Sequence, residues 1–65
     1  MTRGDAFNRA SDALLPCGLN GQIVTDVTET LVAGANKTVF TDTRLRIEVR
    51  DGAVIVTPAN PHIPA

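Results

Sequence analysis

The chain has no tryptophan and no tyrosine, only two phenylalanines, one cysteine and one histidine among its 65 residues. With Cys17 alone, an internal disulfide is excluded, and with His62 as the sole imidazole a His/Cys metal cluster cannot be assembled. No apolar run approaches the ~18 residues of a membrane span. The polar opening Met1-Thr2-Arg3-Gly4-Asp5 is not that of a signal peptide, so cytoplasmic synthesis without export is expected. Six basic residues against seven acidic ones leave a formal net charge of −1. That balance gives no general attraction to nucleic acid or to an anionic membrane. A phosphate-cradling loop is missing too, because Gly18-Leu19-Asn20-Gly21 lacks the required continuation and its lysine. Asp26, Glu29 and Asp42 are scattered across the expected strands and turns, and no pair has the spacing of a defensible carboxylate couple. These absences lead to the expectation of a chain that is not an enzyme and uses no cofactor and no metal.

What is present falls into three stretches. Ala6, Phe7, Ala10, Ala13 and Leu14 recur at three- and four-residue spacing, which predicts a helix over 5–15 with Asn8, Arg9 and Asp12 on its other side. Thr2 or Asp5 suits its N-terminus, and Pro16 with Gly18 ends it. Residues 22–57 are rich in valine, isoleucine and threonine, a composition that favours pleated backbone. Gln22 to Ala33 reads as an alternating strand with Ile23, Thr25, Val27 and Leu31 on one face. Gly34-Ala35-Asn36 reads as a turn, Thr38 to Thr41 as a short strand, and Asp42 as a second turn.

The clearest pattern is a hairpin. Leu45, Ile47 and Val49 alternate with Arg44, Arg46, Glu48 and Arg50; Asp51-Gly52 follows, and then Ala53 to Thr57. An Asp-Gly pair between alternating strands predicts a two-residue type I′ turn. The resulting register sets Arg50 opposite Ala53, Val49 opposite Val54, Ile47 opposite Val56 and Leu45 near Pro58. Ile55 then falls beside the arginine row on the polar face. The tail from Pro58 to Ala65, with Pro58, Pro61 and Pro64, reads as an extended proline-rich arm.

Short motifs have structural explanations. Arg3-Gly4-Asp5 spells an adhesion tripeptide but fits a helix start, and Asn36-Lys37-Thr38 matches a glycosylation pattern but fits a turn. Cys17 reads as a small thiol rather than a nucleophile, since His62 is the only available base. The segment from Leu45 to Pro58 resembles the closing hairpin of the swapped-hairpin antitoxin and transition-state regulators, which are small intertwined β dimers that bind DNA. The resemblance covers that segment alone. After Gly21-Gln22-Ile23-Val24 come Thr25 and Asp26, where the family has an opening strand ending in Ile-Pro before basic residues.

The fold class expected is α+β and mainly β: a short N-terminal helix, a small antiparallel β unit of three to four strands ending in the hairpin, and the extended arm. Residues 1–57 form one small domain and 58–65 the arm. The large apolar side chains available to a core run from Phe7 and Leu15 through Phe40 and Ile47 to Val56, with Ile55 set apart on the polar face. A chain of this length buries only ~60% of the surface its unfolded form exposes. Lacking disulfide and metal, it is expected to rely on association with itself or with a larger assembly. The expected role is a structural or interaction subunit, in concrete form a decoration or joining protein of a viral or phage particle. Its expected protein interface comprises Arg44, Arg46, Ile55, Pro58, Pro61 and Ile63, and the charge balance argues against nucleic acid as a partner. A β-dimer DNA-binding regulator and a small inhibitor of another protein are the alternatives.

Overall fold

Helix formation begins where the sequence offers a hydroxyl. Thr2 caps the first helix, its Oγ1 accepting the Asp5 backbone N–H at 3.1 Å. The computed structural model describes residues 1–59: helix α1 (Arg3–Leu14), a 3₁₀ turn (Leu15–Cys17), helix α2 (Gln22–Ala33), and strands β1 (Lys37–Phe40), β2 (Leu45–Arg50) and β3 (Ala53–Pro58). Ala6, Ala10 and Leu14 line the buried side of α1 at four-residue spacing and are 0% exposed. The small side chains of Ala6 and Ala10 let the helix approach its neighbours closely, and Leu14 fills the space at its end. Gly18, at φ 79°, reverses the chain, and the Leu19 N–H bonds back to Leu14 O at 3.0 Å, returning Leu19 to the core.

Helix α2 corrects the strand expected over Gln22 to Ala33. The alternation of Ile23, Thr25, Val27 and Leu31 skips position 29, where a strand would carry Glu29 onto its apolar face. Val24, Val27 and Leu31 instead follow helical spacing, and all three are buried. The threonines that argued for a strand are accommodated by back-bonding. Thr28 Oγ1 donates to Val24 O at 2.7 Å and Thr30 Oγ1 to Asp26 O at 2.9 Å, so both sit buried and satisfied. Gly34 at φ 70° closes the helix: its N–H meets Leu31 O, and the Ala35 N–H meets Thr30 O, both at 3.1 Å. Burial of an amphipathic face outweighs weak β propensity here. Over the described residues the fold is therefore α+β with two α-helices and three strands, rather than mainly β with one helix.

The sheet is antiparallel in the order β1-β2-β3. The hairpin of β2 and β3 has the register the alternation predicts, Arg50↔Ala53, Val49↔Val54, Ile47↔Val56 and Leu45↔Pro58. Asp51 (φ 53°) and Gly52 (φ 82°) both occupy the left-handed region that a type I′ turn requires. Asn36 steadies that turn, its Oδ1 accepting the Asp51 N–H at 3.1 Å. Pro58 is a correction, since it closes β3 instead of opening an arm. Leu45↔Pro58 is a position whose backbone groups face away from the partner strand, and β3 is an edge, so no ladder bond needs the missing N–H. Ala59 then donates to Arg44 O at 2.9 Å. The remainder of the expected arm, including Pro61 and Ile63, lies outside the described residues.

α1 packs against α2 and β3, and α2 against β2, so both helices cover one face of the sheet. Ile47 and Val49 of β2 meet the helices' buried stripe, with Val39, Leu45, Val54 and Val56 packed around them. No buried side-chain N or O atom among the described residues lacks a hydrogen-bond partner. Where the resemblance to the swapped-hairpin regulators would call for an opening strand, this chain has α2. No helix among the described residues is long and apolar enough to cross a membrane.

Candidate interaction surface

The face of the sheet turned away from the helices is uncovered. Alternation places Thr38 and Phe40 of β1, Arg46, Glu48 and Arg50 of β2, and Ala53, Ile55 and Thr57 of β3 on that side. Phe40 is 68% exposed and Ile55 45%. Ile55 lies on the polar side of the hairpin as its register predicts, while Phe40, one of the large apolar side chains counted toward a core, lies outside it because its partner Arg46 also faces away from the helices. Cross-strand rows run Thr38–Glu48–Ile55 and Phe40–Arg46–Thr57. Arg50 reaches Glu48 at 2.5 Å, two residues along the same strand. Arg46 has no carboxylate partner among the described residues.

Arg44 stands at the rim of this face in an unusual backbone state. The β1–β2 connection holds Thr41 N–H on Leu45 O at 2.9 Å and Arg44 N–H on Thr41 O at 3.1 Å. Thr41 Oγ1 also accepts the Leu45 N–H at 3.1 Å and lies 2.9 Å from Thr43 Oγ1. The geometry is a type I turn followed by one left-handed residue, a position where glycine is usual. Arg44 occupies it at φ 65°. For an L residue that conformation costs roughly 1–2 kcal/mol.

A second uncovered surface lies on the opposite side of the molecule, along the outer groove between α1 and α2. Phe7, Ser11 and the Leu15 that follows α1 form one wall; Val24, Thr25 and Thr28 form the other. Phe7 is 51% and Leu15 52% exposed. They too were expected in the core, and they fall outside it because Ala6, Ala10 and Leu14 occupy the side of α1 turned inward. Sequence reasoning missed this groove because it requires α2 to be a helix. The signal available was the spacing of Val24, Val27 and Leu31, together with Glu29.

Arg3 and Glu29 bridge the two helices at one end of the groove, with a second contact from Arg3 Nη2 to Glu29 Oε1 at 3.2 Å. The guanidinium holds the Glu29 carboxyl below its ordinary range, mainly through the direct hydrogen bond, and the same bond raises Arg3. A carboxyl depressed in the folded state contributes stability above its ordinary value, and that contribution is lost as pH falls through the lowered one. Thermal melts should therefore show the wild-type chain losing its advantage over Glu29→Gln as pH drops below the ordinary glutamate range. The difference should be small and shrink with added salt, since both groups are exposed.

The structure brings Arg46 and Ile55 together on the open face, puts Arg44 at its rim, and sets Pro58 at the end of β3. Cys17 is exposed and free, its Sγ 3.7 Å from Ala13 O, and His62 lies outside the described residues. Arg3-Gly4-Asp5 forms the first turn of α1. No group of three or more His, Cys, Asp or Glu among the described residues could hold a metal ion. Comparison of the chain with family models, with curated proteins and with solved structures returns no match.

Proposed function

We propose that the chain is a non-enzymatic interaction subunit that associates through the open face of its sheet with copies of itself, within a larger protein assembly. The observation that carries this reading is Arg44, held in a left-handed conformation beside a face from which Phe40 and Ile55 project into water. Glycine would relax that turn. A side chain kept where the backbone disfavours it argues that the side chain is used. Arginine and exposed aromatics are also the residue types over-represented at protein interfaces, whereas lysine is depleted, and this chain has five arginines to one lysine.

The concrete setting proposed is a repeating protein coat, such as a viral or phage particle in which a small accessory subunit decorates or joins larger ones. Such a role asks only for adhesion. Duplex DNA is a poorer match, because Glu48 sits inside the arginine row while Asp42 and Asp51 flank its ends.

Arg44→Gly tests the reading. Release of the left-handed strain, partly offset by the greater freedom of glycine in the unfolded chain, should stabilise the fold by about 1 kcal/mol. Denaturant titration measures that gain, and sedimentation velocity should show weaker self-association of the same variant. A variant that is more stable and associates as well as the wild type would mean that the Arg44 side chain serves no contact, and the reading would fall.

A further inference from the structure

The two edges of the sheet carry outward-facing backbone groups, and the chain treats them differently. On β1 the Thr41 N–H bonds Leu45 O at 2.9 Å. Antiparallel pairing alternates, so the groups of Lys37 and Val39 also turn to β2, and those of Thr38 and Phe40 point away from it. Thr38 and Phe40 are exposed, and no proline interrupts β1. At the other edge α1 packs beside β3, Arg9 donates to Gly52 O, and Pro58 removes an outward donor. The β3 edge is partly closed in this way. The β1 edge is bare.

We infer that β1 pairs with β1 of a second copy, antiparallel about a twofold axis through Val39. The inference rests on the self-association reading above and names the contact that joins the copies. Thr38 of each copy lies opposite Phe40 of the other, and each such pair exchanges both of its N–H···O bonds. The two sheets then run on as one and their open faces become continuous. Phe40, 68% exposed in the single chain, gains Thr38 of the other copy as its cross-strand neighbour and the second Phe40 on the diagonal.

Backbone groups accept any extended strand; the charges at the ends of β1 select this one. Lys37, the only lysine of the chain, opens the strand, and Asp42 stands just beyond its far end. Both are exposed, and neither has an ion-pair partner among the described residues. The register centred on Val39 sets Lys37 opposite Thr41 of the other copy, next to its Asp42, and the twofold axis repeats that pair. A parallel arrangement would instead set Lys37 beside Lys37. Exposed ion pairs are weak, and a strand of four residues falls well short of the ~800 Å² per partner of a stable interface. The contact is therefore reversible with concentration.

Amide hydrogen exchange of the full-length chain, read residue by residue by NMR, tests the contact. In dilute solution the Thr38 and Phe40 amides face water. At concentrations where the sedimentation mass has risen, they should exchange about tenfold or more slowly, with the outward amides of Val54 and Val56 on β3 unchanged. A risen mass with Thr38 and Phe40 still exchanging fast overturns the edge contact and leaves association through the open face standing. Slowing at Val54 and Val56 instead overturns it in favour of the β3 edge. A mass that never rises overturns both readings.

Two charge variants test the register. Lys37→Glu and Asp42→Lys each bring like charges together at both ends of the pairing, so each alone should associate about fivefold or more weakly than the wild type at low salt. Both sites are exposed, so melting temperatures should stay near that of the wild type, which verifies folding. Mixed in equal amounts, the variants should regain wild-type association, because each then meets an opposite charge at both ends. A mixture that associates no better than either variant alone, or variants that each associate as the wild type does, overturns the pairing.

Discussion

Ile47→Ala is expected to remove a large share of the fold's stability at room temperature. Ile47 is 0% exposed on the central strand, between Val39 of β1 and Val56 of β3, and turns toward the helices. Truncating a buried isoleucine costs about 2–5 kcal/mol, from lost burial and from the cavity left behind. A chain of this length has roughly 3–10 kcal/mol of stability in all, by the usual allowance per residue. The loss therefore takes a large share of the total. Ile55→Ala, eight residues later on the opposite side of the same hairpin, should change stability little because Ile55 already faces water. Circular dichroism during denaturant titration separates the two. Equal effects would mean that the two faces of the sheet have been assigned the wrong way round.

Glu29→Pro should be comparably damaging. The position is exposed and in the middle of α2, so little packing is lost on substitution. Proline nevertheless removes a backbone donor and collides with the carbonyl four residues earlier, at a cost of about 3 kcal/mol or more. Glu29→Ala provides the control, because it removes the bridge to Arg3 but keeps the helix. The expected result is loss of cooperative melting for the proline variant and a near-native melt for the alanine one. Two similar melts would contradict a helix over Gln22–Ala33.

The same segment explains how much of the molecule was legible in its sequence. α1 and the β2–β3 hairpin were readable because their signals are local. A hydroxyl cap precedes four-residue spacing in the first, and Asp51-Gly52 joins two alternating strands in the second, down to the individual pairs. α2 was not readable from composition, since threonine and valine favour strands on average. Its helicity depends on Thr28 and Thr30 bonding back to their own helix, and on Val24, Val27 and Leu31 finding a sheet to cover. Those are tertiary facts.

The candidate surface divides along the same line. Arg46 and Ile55 follow from hairpin register alone, and the sequence places them together. The exposure of Phe40 depends on how β1 pairs with β2, and the left-handed state of Arg44 depends on the turn between them. The groove beside Phe7 and Leu15 exists only once two helices lie side by side. An interaction surface built from separate elements is the part of a small protein that one-dimensional patterns convey least.

The central claim is that this subunit is made to associate, and the average mass of the unmodified full chain tests it most directly. Sedimentation equilibrium from the micromolar to the millimolar range should give a mass that starts near the 6.9 kDa of one chain and climbs as concentration rises. A mass fixed at 6.9 kDa across the whole range would contradict the account.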